Sequence, residues 1–156
     1  MAAADIEQGD DRRSRSREKL ATLVRTRGET LSLLSELARQ RPFRPDPDTV
    51  EALQEFCQAL IDYTASAHFQ LYRFIADRLE RRTAVLEVAN RVYPRIAQTT
   101  DAILRFNDKY EDLSDTAKAG GLFAVLDNDL SRLGEALAER IQLEDEVIGA
   151  LIGTKH

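Results

Sequence analysis

Polar side chains interrupt two apolar stripes that the sequence predicts to be buried. Along residues 51–75, apolar residues recur at helical spacing, and Thr64 and His68 stand in the middle of their stripe. A second stripe, later in the chain, passes through Arg140 and Glu144. Because buried charges must be paired or solvated, this pattern predicts a polar pocket or internal network that links the four side chains. The alternative is that Arg140 and Glu144 lie at the edge of the buried face, as an ordinary ion pair one helical turn apart.

The same residues carry no pattern of a metal site or a catalytic centre. The chain has two histidines, His68 and His156, and no Glu-x-x-His pair of the kind that di-iron helix bundles use. It also lacks a Gly-rich phosphate loop, a Gly-x-Ser-x-Gly elbow and a Cys–His constellation. We therefore expect neither an enzyme nor a bound metal or cofactor, and we interpret His68 as a hydrogen-bonded pocket residue.

The opposite face of residues 51–75 carries an aromatic ring among carboxylates. Phe69 lies off the apolar stripe, on the side that also holds Asp62 and, seven residues before it, Glu55. An apolar ring beside charged groups on a solvated face is typical of a docking surface for another protein. The alternative is that Phe69 packs against a neighbouring helix of the same chain.

Four helices are predicted to position these residues. Apolar periodicity marks them at residues 16–40, 47–81, 83–110 and 122–152. Strand signals are nearly absent, with no convincing alternation of apolar and polar residues. In the first helix, Leu20, Val24, Leu31, Leu34 and Ala38 keep helical spacing and are predicted to face inward, supported by Leu23 and Leu37.

Prolines are predicted to separate the first two helices and to distort the third. Pro42, Pro45 and Pro47 separate the first two helices, because proline and the residue before it resist helical continuation. Asp46 is predicted to cap the second helix, with Pro47 at its first position. Pro94 lies inside the third helix, where we expect a kink or a short break.

The fold predicted from these elements is all-α. We expect an antiparallel four-helix bundle with long helices and a polar interval in its core seam. The bundle is predicted to be a single domain of residues 16–153, long enough to bury a substantial core. The mixed-charge residues 1–15 are predicted to form a disordered arm.

Composition and charge narrow the function classes. The single cysteine, Cys57, rules out an internal disulfide, and its place on an apolar stripe predicts an inert thiol. We expect a cytoplasmic protein, because the chain has neither a signal-peptide pattern nor an apolar run long enough to span a membrane. From Asn107 onward, eleven acidic residues stand against five basic ones. Such a surface repels nucleic acid and attracts basic partners.

Two long runs resemble one family of bacterial regulators. The runs are EFCQALIDYTASAHFQLYRFI (residues 55–75) and LSRLGEALAERIQLEDEVI (residues 130–148), and Tyr93-Pro94 is similar to an aromatic–Pro step of the same family. They resemble the regulator of sigma D (Rsd/AlgQ) family of anti-sigma factors. The first helix departs from that family, because it has Leu33 and Leu34 where the family carries aromatic residues, and the chain has no Trp.

The resemblance implies a partner and a binding surface. Members of the family fold as antiparallel helical bundles and bind region 4 of the primary (sigma-70 type) sigma factor, which keeps that factor from RNA polymerase and the promoter. We expect a monomer that forms a 1:1 complex and touches neither nucleic acid nor membrane. The predicted sigma-binding residues are Glu55, Asp62, Ser66, Phe69 and Arg73.

The polar seam falls within the same two runs. Its predicted members are Thr64, His68, Arg140, Glu144 and Asp145. The runs do not say whether this pocket holds a ligand. Two further functions therefore stay open, a helical adaptor for another regulatory protein and a small-molecule sensor that uses the polar pocket.

Overall fold

The computed structural model is all-α, with four long helices in the part of the chain that it describes. It describes residues 2–72, 82–113 and 116–152, with side chains at all of these positions except 2–17, 19 and 116–119. The helices are α1 (Ala2–Ala38), α2 (Pro47–Ala67), α3 (Thr83–Tyr110) and α4 (Thr116–Leu151). A π-helical segment, His68–Tyr72, follows α2 directly. No strand occurs in the described part of the chain, and the predicted fold class is confirmed.

The first helix includes the stretch predicted to be a disordered arm. Because α1 begins at Ala2, residues 2–15 of that arm have a helical backbone. The charge pattern indicated solvation, but Ala, Glu, Gln and Arg are strong helix formers and the stretch contains no proline. The secondary structure therefore shows no boundary at residue 16, because α1 runs through it. The division of the chain into an arm and a domain stays a prediction.

The core-facing side of α1 agrees with the prediction at Leu23 and Leu37 but differs from it at Val24 and Leu31. Its buried positions are Leu23, Thr30 and Leu37, and the Thr30 hydroxyl donates a hydrogen bond to a backbone carbonyl of α2 at 3.1 Å. Val24 and Leu31, which were predicted to face inward, are exposed. Two apolar rows run side by side on this helix, and packing against α2 buries the row of Leu23 and Leu37.

The connection into α2 follows the prediction. Asp46 Oδ1 accepts a hydrogen bond from the Thr49 N–H at 2.8 Å, and Pro47 is the first residue of the helix. Thr49 Oγ1 is also hydrogen-bonded to Gln40 Oε1 at 2.8 Å, which ties the end of α1 to the start of α2. The hydrogen bond from the Thr49 N–H holds the pKa of Asp46 below its ordinary value. The predicted cap is confirmed.

Contrary to the prediction, the second helix does not continue as an α-helix to residue 81. It ends at Ala67 and changes to π-helical geometry, while residues 73–81 lie outside the described part of the chain. The buried face of α2 is centred on Leu53, Leu60 and Ala67. This face is rotated relative to the predicted stripe, which determines the side chains that reach the core centre.

The third and fourth helices match their predicted ranges closely. α3 spans residues 83–110 and continues through Pro94, which excludes the short break; the alternative of a kink at Pro94 stays a prediction. α4 begins at Thr116, earlier than the predicted start at residue 122. The buried residues of α3 are Val85, Ala89, Val92, Ile96, Thr99, Ile103, Phe106, Asn107 and Tyr110.

Two helical hairpins make up the bundle. α1 packs along α2, α3 packs along α4, and α2 also contacts α3. The α3–α4 hairpin is antiparallel, since Arg91 pairs with Glu146 whereas Arg95, one turn later, pairs with Glu139. Within the described ranges, no helix combines the length and the apolar composition that a membrane crossing requires.

Candidate functional site

Arg140 and Glu144 form the centre of a buried polar network. They lie one turn apart on α4, and their side chains are 1% and 0% exposed. Arg140 Nε donates a hydrogen bond to Glu144 Oε2 at 3.1 Å. The alternative of an ion pair at the edge of the buried face is therefore excluded, because neither side chain reaches solvent.

Glu144 interacts with three other elements of the bundle. Tyr63 OH of α2 donates to Oε1 at 2.5 Å, and Tyr72 OH of the π-helical segment donates to Oε2 at 2.7 Å. Arg27 Nη1 of α1 lies 3.6 Å from Oε1. Together with Arg140, these groups compensate the desolvation of the buried carboxylate.

Arg140 connects the network to α3. Its Nη1 donates to Thr100 Oγ1 at 2.7 Å and to Thr99 Oγ1 at 3.2 Å. Its guanidinium carbon lies 5.6 Å from the ring centroids of both Tyr63 and Tyr72, within the range of cation–π attraction. All four helices and the π-helical segment thus contribute to one charged cluster, which fixes their positions relative to one another.

The environment keeps both tyrosines protonated. Burial raises the pKa of Tyr63 and of Tyr72, and the Glu144 carboxylate raises it further, while Arg140 acts in the opposite direction. The two phenols therefore remain hydrogen-bond donors to Glu144 across the neutral pH range. In the described part of the chain, no group of three His, Cys, Asp or Glu side chains is arranged to hold a metal ion.

Two residues predicted to line this pocket lie outside the network. Thr64 is half-buried, and its hydroxyl donates to the Leu60 carbonyl of its own helix at 2.7 Å. His68 is exposed, and its ring packs edge-to-face against Phe69 with centroids 5.2 Å apart. The reason is the rotation of α2, which directs Tyr63 rather than Thr64 towards α4. The prediction of His68 as a buried pocket residue is wrong.

Several members of the network were not predicted from the sequence. They are Arg27, Tyr63, Tyr72, Thr99 and Thr100. Arg27 gave the same signal as Arg140, a charge within an apolar stripe, whereas the tyrosines only flanked the predicted stripe. Asp145, which was predicted, is exposed at the outer end of the network, where it pairs with Arg27 at 3.0 Å.

The predicted sigma-binding residues lie on the outer surface, apart from Ser66 and Arg73. Glu55 and Asp62 are exposed on α2, and Phe69 in the π-helical segment is 55% exposed. Such exposure does not match the alternative in which Phe69 is buried in its own bundle. Ser66 is half-buried, and its Oγ is enclosed with no hydrogen-bond partner among the described residues. Arg73 lies outside the described part of the chain.

An acidic groove of about 340 Å³ runs between α1 and α2 on this side of the molecule. Its lining residues are Thr26, Glu29, Leu33, Glu55, Gln58, Ala59 and Asp62. Three carboxylates thus surround a partly apolar floor, and none of the lining residues is basic. At its edge, Arg25 pairs with Glu29 at 3.3 Å. The groove is complementary to a segment that carries both basic and apolar side chains.

The acidic residues of α4 mostly pair within the bundle. The pairs are Asp127–Arg41 (2.8 Å), Asp129–Lys109 (2.7 Å), Glu139–Arg95 (3.0 Å) and Glu146–Arg91 (3.3 Å). The sequence indicated that the acidic excess from residue 107 onward would attract a basic partner. Much of that excess is matched by the chain itself, so the acidic groove between α1 and α2 is the better surface for such a partner.

Comparison with known proteins identifies the family. The family described as regulator of RNA polymerase sigma(70) subunit, Rsd/AlgQ, matches residues 3–152. This chain belongs to the Rsd/AlgQ family. The resemblance of the two sequence runs is thereby confirmed, and the Rsd/AlgQ family is one of regulators rather than of enzymes.

Individual relatives agree with this family membership. Proteins named Regulator of sigma D from Yersinia enterocolitica and Salmonella arizonae are each 33% identical to this chain. The first match extends over 103 residues, 65% of this chain and 60% of the relative, and the second over 106 residues, 68% and 63%. The chain thus spans less than two thirds of the length of these relatives. No solved structure shows a significant match.

Proposed function

We propose that this member of the Rsd/AlgQ family is an anti-sigma factor that binds region 4 of the primary, sigma-70-type sigma factor. The family description and the names of its relatives, which refer to regulation of sigma(70) and sigma D, support a sigma subunit as the partner. The observation that carries the proposal is the exposed ring of Phe69, which follows the exposed carboxylates of Asp62 and Glu55 along the same helical stretch. Aromatic side chains, phenylalanine included, are enriched at protein interfaces relative to the rest of the surface.

Charge complementarity favours region 4 over other parts of a sigma factor. Region 4 contacts promoter DNA and is therefore basic. The groove lined by Glu29, Glu55 and Asp62 offers three carboxylates next to apolar contact area. In the proposed complex, Phe69 is the apolar anchor and Asp62 pairs with a basic side chain of sigma, an arrangement that also speeds encounter.

Ser66 and Arg73 have a weaker basis in the proposed surface. The Ser66 hydroxyl is enclosed, so it is not accessible to a partner in this structure. Arg73 rests on the family resemblance. The proposed sigma-binding surface therefore consists mainly of Phe69 and Asp62, with Glu55 at its rim.

The proposed mechanism is occlusion. A bundle that covers region 4 prevents sigma from using that region on RNA polymerase and on the promoter, and no bond is made or broken. Binding is stoichiometric, one monomer to one sigma factor, and takes place in the cytoplasm, where transcription occurs. The small-molecule-sensor alternative gains no support from the buried network, because the chain's own side chains occupy the hydrogen-bonding capacity of Glu144.

Titration of the full chain with the cognate region 4 fragment tests the proposal. Phe69→Ala and Asp62→Ala are each expected to weaken binding by about 1–3 kcal/mol if these residues are interface hot spots. Calorimetry or fluorescence anisotropy measures the affinity, and circular dichroism checks that the variants are folded.

Matched controls come from the opposite hairpin. Leu104→Ala removes an exposed apolar side chain of α3, and Asp108→Ala removes an exposed carboxylate of the same helix. Both controls should bind region 4 like the unmodified chain. Unchanged affinity in both Phe69→Ala and Asp62→Ala would reject the assigned surface. Failure of the unmodified chain to bind region 4, with recovery of another regulatory protein, would favour the adaptor alternative.

A further inference from the structure

We propose that the hydrogen bond between Tyr72 and Glu144 positions Phe69 for its partner, by holding the segment His68–Tyr72 in π-helical geometry. The inference rests on the proposed function, since it gives the buried network a role in presenting the sigma-binding surface. Tyr72 and Glu144 are positioning residues in this account, because they act through Phe69 and do not touch the partner.

Two side chains of one short segment point in different directions. Phe69 is largely exposed, whereas Tyr72, three residues later, reaches into the bundle and donates to Glu144. In an α-helix, residues three apart are neighbours on one face. A π-turn is closed by i→i+5 hydrogen bonds and therefore rotates less per residue. It separates the directions of Phe69 and Tyr72 further, so that one can face solvent while the other faces the core.

Contacts of Tyr72 with the bundle hold the segment in this uncommon geometry. π-helical turns are rare and occur mostly as local features at functional sites. Here the inward end is held by three contacts of Tyr72. Its hydroxyl lies 2.7 Å from Glu144 Oε2, its ring packs edge-to-face on Tyr93 at 5.3 Å, and the Arg140 guanidinium lies 5.6 Å from its centroid.

The Glu144 side chain, which accepts the hydrogen bond from Tyr72, is itself held in place. Glu144 is fixed by Arg140 and by Tyr63, so it cannot follow Tyr72 if the segment relaxes. Loss of the Tyr72 hydroxyl leaves the ring contacts with Tyr93 and Arg140 but removes the hydrogen bond to this fixed carboxylate, and the segment then shifts towards α-helical geometry. That change turns Phe69 away from its present direction while the rest of the bundle keeps its contacts.

A pair of matched substitutions tests the proposal. Tyr72→Phe and Tyr63→Phe each remove one hydroxyl that donates to Glu144, but only Tyr72 belongs to the segment that carries Phe69. Tyr72→Phe is expected to weaken binding of the region 4 fragment about tenfold, and Tyr63→Phe by less than about twofold. Both variants keep the aromatic ring, so both are expected to fold.

A double-mutant cycle separates positioning from general destabilisation. In the Phe69→Ala background, Tyr72→Phe should cause no further loss of affinity, because the side chain through which it acts is gone. The same loss in both backgrounds would overturn the proposal. So would an affinity of Tyr72→Phe equal to that of Tyr63→Phe.

A measurement without the partner distinguishes failure of this inference from failure of the proposed function. Amide hydrogen exchange in residues 68–72 should be about tenfold faster in Tyr72→Phe than in Tyr63→Phe, under conditions in which both variants are folded. If region 4 does not bind at all, the proposed function fails. The exchange difference still tests whether the Tyr72 hydroxyl holds residues 68–72, because this measurement needs no partner. Equal exchange in the two variants would overturn the positioning role.

Discussion

Arg140 Nε lies 3.1 Å from Glu144 Oε2, and both side chains of this pair are enclosed in the bundle. A buried ion pair stabilises a fold little on balance, because desolvation of the two charges offsets their attraction. Removal of one partner has a larger effect, since the other charge then stays buried without its counter-charge. The pair therefore contributes mainly to the relative positions of the helices. A large decrease in the free energy of unfolding is expected only when one of the two partners is removed.

Glu144→Gln is expected to lower the free energy of unfolding by about 3–5 kcal/mol. The amide oxygen can still accept one hydrogen bond from a tyrosine, but the Arg140 guanidinium is left without a carboxylate. Urea unfolding followed by circular dichroism measures this loss.

Glu139→Gln is the matched control on the same helix. It removes the carboxylate of an exposed pair with Arg95 and is expected to cost less than about 1 kcal/mol. A loss in Glu144→Gln as small as that of the control would contradict the central place of Glu144 in the network.

The thiol of Cys57 is expected to be unreactive in the native protein. Burial raises the pKa of Cys57 to about 12, and the Glu111 carboxylate adds to the effect. Because only the thiolate is the nucleophile, a disulfide reagent at about pH 8 should label Cys57 no faster than the chain unfolds. Rapid labelling of native protein would contradict this assignment, and the urea-unfolded chain serves as the positive control.

The same raised pKa predicts that stability declines in alkaline solution. The thiol of the unfolded chain ionises near 9.0, whereas the native thiol keeps its proton up to about 12. Stability that is fully present below pH 9 is therefore lost as the pH rises towards 12, at about 1.4 kcal/mol per pH unit. Buried tyrosines add a loss of the same sign above their ordinary pKa of 10.0: Tyr63, Tyr72, Tyr93 and Tyr110. In urea unfolding at several pH values, Cys57→Ala should reduce the slope between pH 9 and 10.

Part of this architecture could be predicted because local signals determine it. The start of α2 at Asp46-Pro47 and the range 83–110 of α3 follow from capping chemistry and apolar periodicity, which act within a single helix. The burial of Arg140 and Glu144 could also be predicted, since apolar residues precede and follow them on the same stripe.

The other features depend on tertiary packing. The π-helical geometry that begins at His68 changes the rotation per residue, and a fixed helical period cannot anticipate that change. Tyr72 could therefore not be recognised as part of the network. The prediction for His68 fails for another reason, because the buried face of α2 is rotated relative to the predicted stripe. On α1, two adjacent apolar rows fit the helical period equally well, and only contact with α2 selects Leu23 over Val24.

Gly28→Ala is expected to stabilise the protein. Gly28 is exposed on α1, and a Cβ added there would meet no atom within 4 Å. Alanine favours the helix relative to glycine, so the free energy of unfolding should rise by about 0.5–1 kcal/mol in urea titrations. Gly134→Ala on α4 has equally open surroundings and should behave alike. A loss of stability in either variant would contradict the open space around that position.

The acidic groove between α1 and α2 predicts an electrostatic contribution to the rate of association with region 4. Glu55→Lys reverses one of its carboxylates and leaves Phe69 in place. The association rate constant is expected to fall about tenfold at low salt, whereas the dissociation rate constant should change little, because charges at the rim act mainly on encounter. Stopped-flow measurements with the region 4 fragment at several ionic strengths determine both constants.

Glu87→Lys separates a local effect of the groove from an effect of net charge. It changes the total charge by the same amount, at an exposed position of α3 on the other hairpin. Its association rate constant should stay close to that of the unmodified chain. In about 1 M salt the screening length falls to about 3 Å, so the deficit of Glu55→Lys should largely disappear. An equal deficit in the two variants would contradict attraction by this groove, because the effect would not depend on where the carboxylate lies. A deficit that persists in high salt would also contradict it, because an electrostatic effect is screened there.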